Sequence, residues 1–369
     1  MSEVGTVKAP NLQQLRRYAI ARSLFKPTNL MRAIARLGFV QADPMRAPAR
    51  AQDLILAHRV KDYRVGELEQ RYPRLPIEEC FFLNYGFLPR ENLLFLHPRA
   101  EPRTWDARMR AHAKEVLAFV RQRGHTNAKD VEANFNHGRI KGRYWGVNPS
   151  ASTHLLDGLH YRGLLRVARR EGGARIYEAT ERSSPDDRQE ARLERAGKLL
   201  DIAMQLYAPL PAKSLGHLCG LFRYGAPQLC TEMGHVRERA ESRYAYTAVE
   251  GQIWFWPRDE DPLSQGHRVD DKLRCLAPFD PLVWDRRRFQ LFWNWEYKFE
   301  AYVPAEKRRM GHYAMPVLWG EEMLGWANLK IVNGRLQHEL GFVGRRPRGK
   351  VFQLALREGL QEMETFLGV

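Results

Sequence analysis

The residue types and spacing best suited to chemistry lie in FVQADP, residues 39–44, where Gln41 and Asp43 flank the small Ala42. In an extended segment, side chains two residues apart project to the same side. There an amide can orient a water molecule and a carboxylate can activate it. The same residues admit a second reading. An aspartate followed by proline is a helix-start signal, with Asp43 as N-cap and Pro44 at the first helical position. The two uses compete, because a carboxylate committed to capping has a lowered pKa and little spare acceptor capacity. Spacing alone favours the cap, and both readings stay open at this point.

Other chemistries lack their signatures. The chain has no phosphate loop of the G-x-x-x-x-G-K-[ST] type, no G-x-G-x-x-G, no H-E-x-x-H and no G-x-S-x-G. Its histidines are dispersed: His112 and His125 sit near apolar helix faces, and His137, His154, His160, His217 and His235 fall in loop or helix-end contexts. They read as structural or phosphate-contacting residues. Cys80, Cys219, Cys230 and Cys275 have no C-x-x-C spacing, so they read as reduced, mostly buried thiols. Neither a metal nor a cofactor is expected.

The 369 residues carry 59 Lys and Arg against 43 Asp and Glu, a formal charge of +16, together with nine tryptophans. This describes a folded protein with a polyanionic partner, and nucleic acid is the partner expected. The opening MSEVGTVKAPNLQQL lacks the basic flank and apolar run of a secretory signal, and no uncharged apolar run reaches the roughly 20 residues of a membrane span. A cytoplasmic, nucleoid-associated protein without membrane contact is the expectation.

The elements that must position these residues follow from periodicity. Leu12, Leu15 and Ala19, then Leu30, Ala33, Ile34 and Leu37, mark two helices separated by KPTN, and a third helix is expected near residues 49–60. A second unit follows. Val116, Leu117 and Val120 form one helical stripe, residues 128–135 a second, and NPSASTHLLDGLHYRG a third, closed by an arginine-rich hairpin around Gly172 and Gly173. Three helices closed by a ribbon describe a winged helix, whose third helix enters a DNA groove while the wing touches the backbone. The pattern returns with Leu193, Ala196, Leu199, Ala203 and Leu206, and ends in a ribbon at AYTAVEGQIWFWP.

Beyond residue 272 the period becomes two. FWNWEYKFEAYV places Trp293, Trp295, Tyr297 and Phe299 on one face and Asn294, Glu296, Lys298 and Glu300 on the other, predicting a half-buried strand. Asn333-Gly334 predicts a type I′ hairpin, and the stripe Phe352, Leu356, Leu360, Met363, Leu367 a terminal helix. The expected fold is therefore α+β: three tandem winged-helix units (residues 1–105, 106–183 and 190–262), then a small C-terminal antiparallel β-barrel with a terminal helix (272–369). Basic clusters at Arg286–Arg288, Lys307–Arg309 and Arg345–Lys350, with the arginine-rich wing, suggest several phosphate contacts.

Three stretches resemble the winged-helix DNA glycosylases of alkylation and interstrand-crosslink repair, the YcaQ and AlkZ group. They are LGFVQADPMRAPARAQDLILAHRV (37–60), TNAKDVEANF with its following helix and wing, and LAPFDPLVWDRRRFQLFWNWEYKFEAYVPAEKRRMGHYAMPVLW (276–319). The resemblance implies tandem winged helices and a β-barrel clamped on duplex DNA as a monomer, with Gln41 and Asp43 as the catalytic pair. It implies a monofunctional glycosylase hydrolysing the N-glycosidic bond of alkylated purines of the N7-alkylguanine type, including crosslinked ones. The chain departs from the family pattern at Ala42, and at Gln52 and Asp53, where many relatives carry histidines. The expected DNA contacts are Ser152, Thr153, Tyr161, Arg166, Arg169 and Arg170, and Lys307, Arg308 and Arg309. The competing classes are a non-catalytic winged-helix DNA-binding protein or regulator, which would leave a sequence-specific footprint, and an RNA-binding factor, which would prefer A-form RNA.

Overall fold

A computed structural model describes all residues except 1–8, 101–104, 136–137, 139–149 and 183–184. His137 lies outside the described residues. The chain divides into two compact units, one of residues 1–68, 200–220 and 234–369, the other of residues 69–199 and 221–233.

The first unit begins with the helix Leu12–Ser23, opened by an Asn11–Gln14 capping box, and the helix Leu30–Leu37, capped by Asn29. Their inward faces bury Leu15, Tyr18, Ala19, Leu30, Ala33 and Ile34 completely. The second helix ends at Gly38, which has φ 73° and lies so close to Ile202 that a Cβ would come within 2.9 Å of Ile202 Cγ2. Glycine is required there twice over, for the left-handed backbone and for the approach.

A three-stranded sheet in the same unit pairs Leu210–Pro211 with Gln252–Trp256 and the latter with Ala245–Val249, across a tight turn at Glu250 and Gly251, both of positive φ. The C-terminal sheet is a four-stranded antiparallel meander of Leu273–Cys275, Met315–Trp319, Glu322–Val332 and Arg335–Phe342, curled as a half-barrel. The Asn333-Gly334 turn has φ 51° and 72°, the type I′ signature read from the sequence. The terminal helix Lys350–Leu367 buries Phe352, Leu356, Met363 and Leu367 of the expected stripe, and Leu360 is half-buried.

The strand expected at FWNWEYKFEAYV is not formed. Residues Arg286–Trp293 are a helix, started by Asp285, whose carboxylate accepts from the N–H groups of Arg287 and Arg288, and stopped by Asn294 at φ 48°. Residues 295–300 then run without a ladder partner. The alternation in burial survives, with Trp295 and Tyr297 buried and Glu296 and Lys298 exposed. Side-chain packing on Phe289, not strand pairing, produces it. The barrel expectation is corrected with it: among the described residues the sheet has four strands and does not close.

The second unit contains the helices Ala107–Arg123, Ala128–Asn134 and Ala151–Arg162, then the antiparallel ribbon Leu165–Glu171 with Ala174–Ala179. Thr126 bonds the ribbon from the side, exchanging both backbone hydrogen bonds with Tyr177. A further hairpin, Ile77–Phe81 with Tyr85–Pro89, packs against it through Glu79, fully buried and held bidentately by Arg170 at 2.8 and 2.5 Å. No helix among the described residues is long and apolar enough to cross a membrane.

Candidate functional site

The segment after Gly38 leaves its helix extended. Phe39 and Val40 are each 1% exposed and anchor it, and Gln41 follows at 4%. Asp43 is not a helix cap. The next helix, Ala51–Ala57, starts eight residues later, with Arg50 at its N-cap and no side-chain bond there. Pro48 disfavours helical backbone at Ala47, and residues 44–50 form no helix. Asp43 Oδ1 instead accepts the Met45 N–H at 2.9 Å, a local turn that consumes one oxygen. Oδ2 accepts no hydrogen bond among the described residues. The Asp43 N–H donates to Gln52 Oε1 at 3.3 Å, which ties the turn to the helix that follows.

Half-burial pushes the Asp43 carboxyl above the usual aspartate range, against the lowering effect of the Met45 N–H. The group is thus a better base than a solvated aspartate. Gln41 Oε1 is buried and accepts no hydrogen bond among the described residues, and the Tyr313 hydroxyl is in the same condition. Buried polar atoms are nearly always paired, and these two are among several in the unit that are not; what sets them apart is their place beside Asp43 in the chain and in its field. Tyr313 belongs with Asp43: burial first, then the Asp43 charge, raises its phenol well above its ordinary range. Sequence reasoning does not select Tyr313 as a site residue. It stands in EKRRMGHY, within one of the stretches that carry the family resemblance, and that placement is the available signal.

A buried carboxylate shapes the loop before Tyr313. Glu300, 6% exposed, accepts with Oε2 from the N–H groups of Arg309 (2.9 Å), Met310 (2.8 Å) and Gly311 (3.3 Å). Asn328 Nδ2 donates to Met310 O at 2.7 Å, and Gly311 has φ 124° with no room for a Cβ beside Asn328. Lys307 and Arg309 emerge from this loop exposed, with no ion pair among the described residues, while Arg308 is half-buried and donates to Val303 O at 2.7 Å.

Beneath Gln52 the helix is fixed by ionic contacts. Asp53 accepts from Tyr63 Oη (2.7 Å) and the Gly66 N–H (3.2 Å). Arg59 and Asp280 are both fully buried and pair bidentately at 2.8 and 3.0 Å. Arg59 also donates to Ser23 O and Ile55 O, and Asp280 caps the short helix Pro281–Trp284. Through Arg59 the FDPLVW motif therefore anchors the Ala51–Ala57 helix, whose Gln52 accepts the Asp43 N–H. The neighbouring basic run turns inward in part: Arg288 is buried on the carbonyls of Tyr207 and Pro281, and Arg286 lies over the Tyr297 ring at 4.5 Å.

In the second unit, Ser152 is buried and Thr153 half-buried at the start of the Ala151–Arg162 helix. Tyr161 donates its hydroxyl to Tyr224 O at 2.7 Å. The wing arginines are paired: Arg166 with Glu178, Arg169 with Glu171, Arg170 with Glu79. All four cysteines are free, and no cluster of metal-ligating side chains occurs among the described residues.

An uncommitted half-buried carboxylate beside an amide, in a basic helix-and-ribbon protein, suits hydrolysis of a bond that breaks through a cationic transition state on a polyanion. The matching family model, DNA glycosylase AlkZ-like, covers residues 34–366, and the chain belongs to that family and is a DNA glycosylase of DNA repair. In fold it is similar to the Streptomyces sahachiroi DNA glycosylase AlkZ, with a TM-score of 0.61 over 98% of each chain at 14% identity.

Proposed function

We propose that the protein is a monofunctional glycosylase that hydrolyses the N-glycosidic bond of N7-alkylguanine-type purines in duplex DNA, including crosslinked ones, with Gln41 and Asp43 as its catalytic pair. The observation that carries this reading is the state of Asp43: it caps no helix, and one carboxylate oxygen has no partner among the described residues. An N7-alkylated guanine is cationic and leaves readily, so the site need not protonate it. The demand is to stabilise the oxocarbenium-like sugar as the C1′–N9 bond breaks and to deliver water to C1′. In the reaction proposed here, Asp43 faces the developing positive charge and takes the proton of the attacking water, while Gln41 Oε1 holds that water. No lysine nucleophile enters, so the product is an intact strand with an abasic site.

On this reading the exposed Lys307 and Arg309, with Arg308, bind phosphates in the first unit. In the second unit the contacts are Thr153, Tyr161, Arg166 and Arg169, supported by Ser152 and Arg170, and the protein works as a monomer on nucleoid DNA. The test is release of N7-methylguanine from duplex, counted as abasic sites. Asp43→Asn should lower the single-turnover rate by about 10²–10⁴-fold without changing duplex affinity severalfold. Wild-type rates in Asp43→Asn would sink the assignment. The wild-type rate should also fall on acidification through an apparent pKa above the usual aspartate range, since the ionised carboxylate is the active form.

A further inference from the structure

The second unit holds a cavity of about 420 Å³ that the catalytic reading does not use. Its lining is mainly aromatic, from Phe81, Tyr85, Trp105, His154 and Tyr161, with Asp157 and Arg175 as its charged groups. The sequence invests in it. Gly158 sits in the middle of the Ala151–Arg162 helix, where glycine costs about 1 kcal/mol relative to alanine. A Cβ at Gly158 would lie 2.2 Å from Trp105 Cζ2, so the glycine is what lets the indole lie against the helix.

The polar tips of these rings are tied down by protein partners. Tyr85 donates its hydroxyl to Glu79 at 2.8 Å, Tyr161 to Tyr224 O at 2.7 Å, and Trp105 Nε1 to His154 Nε2 at 3.2 Å. His160, which also lines the space, bonds Glu79 O at 2.9 Å. What remains is aromatic surface, in part already covered, with Arg99 over the Tyr161 ring at 4.6 Å and Arg175 over the Tyr85 ring, together with two polar groups that keep hydrogen-bonding capacity toward solvent. Asp157 Oδ1 accepts from Arg175 Nη1 (2.8 Å) and Tyr177 Oη (2.7 Å), and Oδ2 has no partner among the described residues. Arg175, braced over the Tyr85 ring at 4.5 Å, makes its hydrogen bonds through Nη1 and leaves Nη2 as a donor.

A flat group is what aromatic walls select, and a carboxylate oxygen beside a guanidinium N–H selects an edge with adjacent donors and an acceptor. Guanine presents that edge, N1–H and N2–H₂ beside O6. We infer that this cavity binds an unpaired guanine-type base of the DNA strand, stacked on the rings and read at its Watson–Crick edge by Asp157 and Arg175. The inference rests on the chain's being a DNA glycosylase and not on the roles of Gln41 and Asp43. The same chemistry is offered by a free nucleobase or nucleoside, and the experiment separates the two sources.

Full-length protein carrying Asp43→Asn, so that no turnover interferes, is titrated by anisotropy with three duplexes of one sequence: fully paired, with a bulged deoxyguanosine, and with a bulged abasic site. Deoxyguanosine alone is titrated by calorimetry. The bulged guanine should bind about tenfold tighter than the abasic bulge, the effect of stacking one base. Adding Asp157→Asn should erase most of that preference while leaving the fully paired duplex unaffected. Fluorescence of 6-methylisoxanthopterin at the bulge, a guanine analogue that keeps the N1–H and carbonyl edge, should be quenched on binding and recover in His154→Ala. Equal affinity for guanine and abasic bulges, with Asp157→Asn silent, would overturn the inference. Binding of deoxyguanosine with no preference among the duplexes would overturn it in favour of a free-nucleobase site. Loss of the proposed catalysis would leave all of these readings unchanged.

Discussion

Replacing Glu300 by glutamine tests whether the basic loop acts through fixed geometry. The carboxylate accepts two short bonds and one longer one from consecutive backbone N–H groups at Arg309, Met310 and Gly311. Although burial raises its pKa, those N–H groups and the Arg309 charge hold it below the usual glutamate range, so it stays ionised at neutral pH. A bond to a carboxylate is about twice as strong as its neutral counterpart, so the amide forfeits roughly 1 kcal/mol at each short bond, about 2 kcal/mol in all. That shifts the loop's ordered-to-open ratio by up to about thirtyfold, and duplex affinity falls with the ordered fraction. The charges of Lys307 and Arg309 are unaltered, and loss of the Glu300 charge would by itself strengthen binding to a polyanion, so weaker binding reports position. Measured by anisotropy over a salt series, Glu300→Gln should bind up to several-fold more weakly, because the ordered fraction of a mostly ordered loop falls by less than the ratio does. Its log–log salt slope should be shallower by up to about 2, the contribution of two phosphates. In a Lys307→Ala/Arg309→Ala background it should cost nothing further. Wild-type affinity and slope in Glu300→Gln, or losses that simply add, would refute the argument.

Three further outcomes follow from buried groups. Asp280→Asn strands the fully buried Arg59 charge and should destabilise by about 3–5 kcal/mol, a fall of roughly ten degrees in Tm. Arg59→Met with Asp280→Leu should melt above the single variant; a lower Tm for the pair would contradict the charge argument. His58, His97 and His160 have their pKa lowered, in each case by burial first and then by a nearby arginine, with His58 and His160 at about 4. The unfolded chain therefore binds more protons between pH about 6.5 and 4, and stability should fall as pH falls through that window, by up to about 3 kcal/mol for His160 alone. A His160→Gln variant with an undiminished slope would contradict this. Gly158→Ala should lower Tm despite its better helix propensity, because overpacking against Trp105 costs about 1–3 kcal/mol; a raised Tm would mean the indole moves aside.

Legible in the sequence is what neighbours along the chain decide. Asn11, Asn29 and Asn127 cap the helices that their apolar stripes announce, and Asn333-Gly334 and Gly172-Gly173 turn where positive φ is needed. The differences between expectation and structure have tertiary causes. Alternation from Trp293 to Glu300 reads as a strand because period two in burial does not say whether a ladder partner exists. Arg170 reads as a free wing arginine because its partner, Glu79, is 91 residues away. Glu300 falls on the solvent face of the alternation, yet it is buried, because the N–H groups that hold it belong to a loop nine to eleven residues on.

Asp43 shows the same limit at the point that matters most. Asp-Pro is a sound helix-start signal, and two uses do compete for its oxygens. Pro48, four residues past Pro44, weighs against the cap, because it disfavours helical backbone at Ala47, and the helix starts only at Ala51. A capping aspartate would point at its own helix with its pKa lowered by two or three N–H groups. This one receives a single N–H from Met45, its amide is steadied by Gln52, and half-burial pushes its pKa the other way. Gln52 and Asp53, the two departures from the pattern that the resemblance implied, are both engaged here. Gln52 holds the Asp43 backbone, and Asp53 locks Tyr63 and Gly66. With glutamine and aspartate at these two positions no imidazole lies there, and on the proposed reading Asp43 is the carboxylate whose ionisation sets the charge beside Gln41 and Tyr313. A rate profile with a single acid limb, and no second limb from a histidine, is the kinetic form that this arrangement requires.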